Sequence, residues 1–328
     1  MTARRRIVIA IGGALLFPLV AHAQQGSTAR IGILSGRSRQ AAVDTGIQAA
    51  FVRAMAERGY VEGKNVRYEW RYAGGDYSEL RRMAEDLVRL NVDVIVAEGT
   101  SAIRPAREAT RKIPIVMSTS SDPVGAGFVS SLARPGGNIT GLTSTAIETT
   151  LKRVEILVTL IPGLKRVAVL ANPNNPSGKT FLRDADAAAR AFNLSLIALQ
   201  AGTIQEIESA FAAMSAQKAE ALALPPDAFF NSQRRQIVAL AAKARIAAIY
   251  ALREFLEVGG LLVYGHDLTD LTRRATVYVD RILRGAKPAE LPVEQPHTFE
   301  LLVNLKTANA LGIRVPQTLL MRANEVVH

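Results

Sequence analysis

The residues with the most chemical promise lie in loops that follow short apolar runs. One such loop is "ANPNNPSGKT", Ala171 to Thr180, which follows "RVAVL" and leads into a helix-like segment. It ends in Gly178-Lys179-Thr180, the tail of the G-x-x-x-x-G-K-[ST] phosphate cradle. The rest of that motif is missing. Pro173 stands where the first glycine belongs, and Pro176 interrupts the loop. Proline has no N–H to donate, and the cradle works by aiming backbone N–H groups at phosphates. Nucleotide binding is therefore excluded here, and Lys179 reads as a solvated helix residue. The stretch "GAGFVS" (125–130) lacks the third glycine of a dinucleotide fingerprint, and Asp122 before it would repel a pyrophosphate.

Other catalytic patterns are weak. After residue 23 the only histidines are His266, His297 and His328, and none forms H-E-x-x-H. There is no G-x-S-x-G elbow. With no cysteine in the chain, thiolate nucleophiles, thiolate metal sites and disulfides are excluded. Asp227 and Glu254 could form a carboxylate pair, but helix capping or an amine ligand explains them as well. No catalysis, no metal and no cofactor is the expectation, with an exported enzyme on a two-lobed scaffold as the less favoured alternative.

These loops need elements to position them. Candidate strands are 29–35, 65–72, 92–99, 113–118, 166–172, 194–200, 220–226, 246–251 and 259–265, separated by amphipathic helical patterns. Strand–helix alternation predicts βαβ units and parallel sheets. Strands apolar along their whole length fit sheets covered on both faces. The order repeats: "RIGILS" answers to "RVAVLAN", "VDVIVAEGTSA" to "AEALALPPDAF", and "KIPIVMSTSSD" to "RIAAIYALREF". Two similar α/β lobes in tandem follow, joined by "ARPGGNITGLTS" (133–144) as a crossover that can act as a hinge. Residues 267–288 form one long helix pattern ended by Gly285 and Pro288. The chain is expected to pass between the lobes again near 265–268 and 297–300. Tyr68, Trp70 and Tyr72 share one strand face and should pack on the sheet.

Ligands of open parallel sheets bind beyond the carboxyl ends of the strands. There stand Ser35-Gly36, Gly99-Thr100-Ser101, "STSSDPVGAG" (118–127), "ANPNNPSG" (171–178), "PPDAFF" (225–230) and "YALREF" (250–255). Small hydroxyl and amide side chains at helix N-termini favour an anionic group such as a carboxylate, although each also caps helices.

Composition narrows the class. The 328 residues are 48% hydrophobic and 21% charged, as in an ordinary globular chain of about two domains. The formal net charge is +11, and Arg4, Arg5 and Arg6 carry three of those charges. The remaining basic residues are interleaved with acids, as in "RRMAEDLVRL", so nucleic acid is not an expected partner. Residues 1–23 read as a signal peptide: basic start, apolar "IVIAIGGALLFPLV", and Ala21-His22-Ala23 as the cleavage site. A soluble periplasmic protein is expected, cleaved near Ala23 and without a lipid anchor, since no cysteine could carry one.

Five stretches together carry a family resemblance: "RGYVEGKNVRYEWRYAGGDY", "DPVGAGFVSSLARPGGNITGL", "RVAVLANPNNPSG", "REFLEVGGLLVYGHDL" and "LPVEQPHTFELLVNLKTANALGI". From Arg30 to Val327 the chain resembles the ABC-transporter substrate-binding proteins of the tryptophan/tyrosine type. That resemblance implies a type I periplasmic binding fold: two Rossmann-like parallel-sheet lobes joined by a three-segment hinge. The implied lobes are 28–141 with 266–297, and 142–265 with 298–328. It implies a monomer that takes a small amino acid or organic carboxylate, without catalysis, and delivers it to an ABC permease in the inner membrane. A ligand sensor with a signalling partner is the alternative. The implied ligand-facing positions are Ser35, Thr100, Ser101, Ser120 and Asp122 on lobe one. On lobe two they are Asn172, Asn175, Ser177, Asp227, Tyr250 and Glu254. Two positions beside the cleft depart from the family: Ala171 where Trp is common, and Ser121 where Gly is common.

Overall fold

The computed structural model describes residues 28–144, 146–295 and 298–328. The expected export segment and His297 lie outside these residues. The first lobe holds β1 (Ala29–Ser35), β2 (Val66–Tyr72), β3 (Val94–Glu98), β4 (Ile115–Thr119) and β5 (Ile139–Gly141). Among the described residues they make a parallel sheet of order β2-β1-β3-β4-β5. The second lobe holds β6 (Arg166–Ala171), β7 (Ser195–Gln200), β8 (Ala221–Leu224), β9 (Ala247–Tyr250) and β10 (Leu262–His266), followed by β11 (Phe299–Asn304) and β12 (Glu325–Val327). Their order is β12-β11-β10-β9-β8-β6-β7, with β11 antiparallel to β10. The run β7-β6-β8-β9-β10 repeats β2-β1-β3-β4-β5 position for position. The sequence repeat is thus a duplicated strand order.

The strands are apolar throughout because both of their faces are covered. Along β3, Val94 and Val96 face one layer, while Ile95 and Ala97 face the other. Along β6, Val167 and Val169 alternate in the same way with Ala168 and Leu170. On the first sheet, α3 (Glu79–Arg89) and α4 (Gly99–Ala109) cover one face. The other is covered by α2 (Ile47–Ala56) and α11 (Leu268–Leu283), with Phe51, Met55, Ala275 and Val279 in the core. Helix α11 follows β10 of the second sheet, so the chain crosses back to the first lobe there. Gly285, with φ +97°, ends the helix region as its sequence predicts. On the second sheet, α7 (Ile204–Ala216) and α9 (Arg234–Lys243) cover one face. The opposite face carries α5 (Ala146–Leu160), α6 (Gly178–Ala191) and α12 (Leu305–Leu311). Phe51, Tyr68 and Trp70 form edge and tilted contacts, and Trp70 stacks on Tyr72 at 5.9 Å. That face packs on the sheet, as expected.

Three stretches connect the lobes. The first and third are hydrogen-bonded to each other: Glu294 N donates to Gly141 O at 2.9 Å, and Thr143 N to Glu294 O at 2.9 Å. Part of the expected linker is in fact strand β5. Three residues between glycines are too few to show a strand period, and β12 was hidden for the same reason. Gly141 is required there. Its φ is +124°, and a Cβ would stand 2.3 Å from Met117 O and 2.6 Å from Met117 N on β4. Gly141→Ala is therefore expected to cost at least about 2 kcal/mol, read from the urea midpoint at unchanged m-value.

Candidate functional site

The carboxyl ends of β1, β3 and β4 face those of β6, β8 and β9 across an inter-lobe cleft, and the jaws of that cleft touch. The Tyr77 hydroxyl from the first lobe donates to Asp227 Oδ2 at 3.0 Å and accepts from Ala228 N at 2.9 Å. Glycines allow this approach. A Cβ on Gly36 would meet the Tyr77 ring at 2.9 Å and Ala228 Cβ at 3.2 Å, and one on Gly75 would meet Phe229 Cα at 3.2 Å.

A buried ion cluster also spans the cleft. Arg37, 5% exposed, follows β1 and donates from Nε to Glu98 Oε1 at the end of β3. Its Nη1 donates to Glu254 Oε1 in the second lobe, at the start of the short helix α10 (Glu254–Glu257). Ser35 Oγ donates to the other Glu98 oxygen at 2.6 Å, and Asn231 Nδ2 to Glu254 at 3.3 Å. Burial pushes the Arg37 pKa down, but the two carboxylates outweigh it and hold the guanidinium above its ordinary range. Burial pushes the Glu254 carboxyl up, but the Arg37 charge and hydrogen bond leave it net below its usual value.

Behind the touching jaws lies a cavity of about 120 Å³ walled by both lobes. That is room for a small organic molecule rather than for one water. Gly99, Thr100 and Ser101 at the N-terminus of α4, with Thr119 at the end of β4 and Ser120 and Ser121 after it, supply the first-lobe wall. Asn175, Ser177 and Phe181 around the start of α6, with Asp227 and Leu252, supply the second. Thr100 Oγ1 and Ser120 Oγ are buried and have no hydrogen-bond partner among the described residues. A smaller cavity of about 40 Å³ adjoins it, sharing Glu98, Thr119, Leu268 and Leu271 with the first and lined further by Phe51, Trp70 and Ala275.

Six of the expected positions meet at the larger cavity: Thr100, Ser101, Ser120, Asn175, Ser177 and Asp227. Five lie elsewhere. Ser35 supports Glu98 from behind. Asn172 donates to Asp227 Oδ1 at 3.3 Å and so braces a wall residue. Asp122 turns back on its own loop, accepting from Gly125 N at 2.8 Å. Tyr250 is 1% exposed and stacks on Phe255 at 4.4 Å, because its parity on β9 sends it into the core with Ala248. Glu254 is taken up by Arg37. The arrangement at Asp227 is closed too, since Asn172, Asn175, Tyr77 and Phe230 N all donate to it.

Sequence reasoning missed Arg37, Glu98 and Arg153. The first two directly adjoin the loops that were read, and the strand-end rule extended by one residue finds both. Arg153 sits mid-helix on α5, one turn after Thr149, and both line the cavity. It is 4% exposed, and its Nε donates to Tyr264 O at 2.9 Å. Burial pushes its pKa down to about 10.

The ion cluster makes two predictions. Glu254→Ala leaves Arg37 paired to Glu98 alone and strips its Nη1 of a charged hydrogen bond, so the variant is expected to lose about 2 kcal/mol in urea unfolding. The Arg37→Met, Glu98→Gln, Glu254→Leu triple variant, which leaves no unpaired charge behind, should recover most of that loss. The Glu254 carboxyl is lowered in the folded state, so its contribution is full above its unfolded value of 4.5. The contribution fades as pH falls through the lower folded value. Glu254→Gln should remove this part of the acid dependence, measured by unfolding between pH 3 and pH 6.

The chain is 28% identical over 265 residues to a tyrosine-binding protein of Clostridioides difficile strain R20291, covering 80% of this chain and 76% of the relative. A Streptococcus pneumonia ABC domain in complex with L-Trp superposes with a TM-score of 0.83 at 29% identity, covering 92% of this chain and all of that one. A conserved domain protein from Vibrio cholerae reaches a TM-score of 0.86 at 26% identity over the same shares. Residues 29–327 match the family model described as ABC transporter substrate binding protein, and the chain belongs to that family.

Proposed function

We propose that this protein is the extracytoplasmic receptor of an ABC importer. It holds a small amino acid or related organic carboxylate between its lobes and delivers it to a membrane permease. The bodies that move against each other are residues 28–141 with 266–297, and 142–265 with 298–328. The carrying observation is the cavity walled by both lobes behind touching jaws, with charges of both signs on its wall: Arg37 and Arg153, and Glu98 and Asp227. A zwitterion satisfies such a lining. Glu98 keeps acceptor capacity for an ammonium group after its bonds to Ser35 and Arg37. Phe181, Leu252, Leu268 and Leu271 supply apolar surface, and the adjoining cavity at Phe51 and Trp70 extends it. The relatives named for tyrosine and L-Trp support an amino acid with a large side chain.

The expected route is export, and among the described residues no helix is long and apolar enough to cross a membrane. A thermal-shift panel of ligand-stripped protein with the standard L-amino acids and small organic carboxylates tests the receptor reading. A true ligand at a hundred times its Kd should stabilise by about 2.7 kcal/mol, a rise of roughly 4 °C. No shift with any member of the panel would sink the reading.

A further inference from the structure

We infer that Arg153 is the anchor for the ligand's carboxylate, and that its buried guanidinium forms the ion pair the protein itself withholds. This inference rests on the receptor reading above and names the group that reads the anion.

The two arginines of the cavity wall differ in one respect. Arg37 is met by two carboxylates, one from each lobe. Arg153 is equally buried, yet it makes no ion pair with any described carboxylate. Its hydrogen bond to Tyr264 O is made by Nε, and the residue lines the cavity. A buried charge without a partner is costly. A planar fork of N–H donors matches a carboxylate in bidentate fashion. Thr100 Oγ1 and Ser120 Oγ, buried and without partners among the described residues, line the same cavity, as does the N-terminus of the eleven-residue helix α4. All of these groups can donate to an anion. The acids of the wall do not compete, because Glu98 faces Arg37 and Asp227 is enclosed by four donors.

Position adds a second role. Arg153 lies on α5, directly after the first crossing between the lobes, and its hydrogen bond reaches the end of β10, directly before the second. A carboxylate seated on it is therefore held at the hinge side of the cavity, while Arg37 and Glu254 hold the mouth.

Calorimetric titration with L-tryptophan, L-tyrosine and their carboxamides tests this. Wild type should prefer each acid over its amide by about 30-fold or more, as expected for loss of a charged hydrogen-bonded pair. Arg153→Gln should reduce that preference to within about 3-fold while leaving amide affinity near its wild-type value. In a second arm, ligand-stripped Arg153→Met should melt no lower than ligand-stripped wild type, because a buried unpaired charge has been replaced by apolar volume. Amides that bind wild type as well as the acids, or an Arg153→Gln variant that keeps the preference, would overturn the inference and leave the receptor reading standing. So would an Arg153→Met variant several degrees less stable without ligand, since Arg153 would then be a structural group. Should wild type bind none of these four, the same acid–amide comparison with whichever panel member stabilises it decides the inference; no stabilising member at all overturns the receptor reading, and this inference with it.

Discussion

Everything at the cleft depends on one buried positive charge. Arg37 leaves water only because a carboxylate from each lobe meets it. Glu98 alone would fix it to the first lobe. Glu254 alone would leave it without an anchor in its own lobe. The pair makes the ion cluster a property of the closed arrangement, since separating the lobes strips Arg37 of half its compensation. Whatever net stability the cluster adds is modest against the desolvation of three charges. Its effect is on geometry, because a guanidinium fork between two carboxylates accepts few orientations.

The cavity behind it follows the opposite rule. Tyr77, Asn172 and Asn175 saturate Asp227, while among the described residues Thr100 Oγ1 and Ser120 Oγ have no hydrogen-bond partner and Arg153 has no ion pair. Charge compensation is complete at the mouth and incomplete at the back. In a folded protein buried polar groups are nearly always paired, so an uneven distribution of this kind marks where a partner from outside completes the network.

Much of this was legible in the sequence, for topological reasons. Strands buried on both faces read as continuous apolar runs, and a duplicated strand order reads as a repeat. The carboxyl-end rule then finds Thr100, Ser101, Ser120, Asn175, Ser177 and Asp227 without any knowledge of side-chain direction. It fails where direction matters. Tyr250 ends a strand as expected, but the period-two alternation sends it into the core. Glu254 stands in the right loop and is consumed by an arginine 217 residues away. Arg153 was invisible because it reaches the cavity from the middle of a helix, and no local pattern separates it from solvated helix arginines such as Arg183 and Arg190. Strand β5 was invisible because its evidence is one glycine pressed against Met117, a contact between distant segments.

The hinge has its own mechanics. Two of the three crossings are bound to each other through Gly141, Thr143 and Glu294, with Leu142 bridged to Glu294 as in a parallel ladder. They form a short ribbon rather than two independent cords. A hydrogen-bonded ribbon flexes across its flat face and resists sliding within its plane. In the proposed receptor, such a ribbon narrows relative motion of the lobes toward a single angular coordinate, so that jaws parting along it would meet again in the same register.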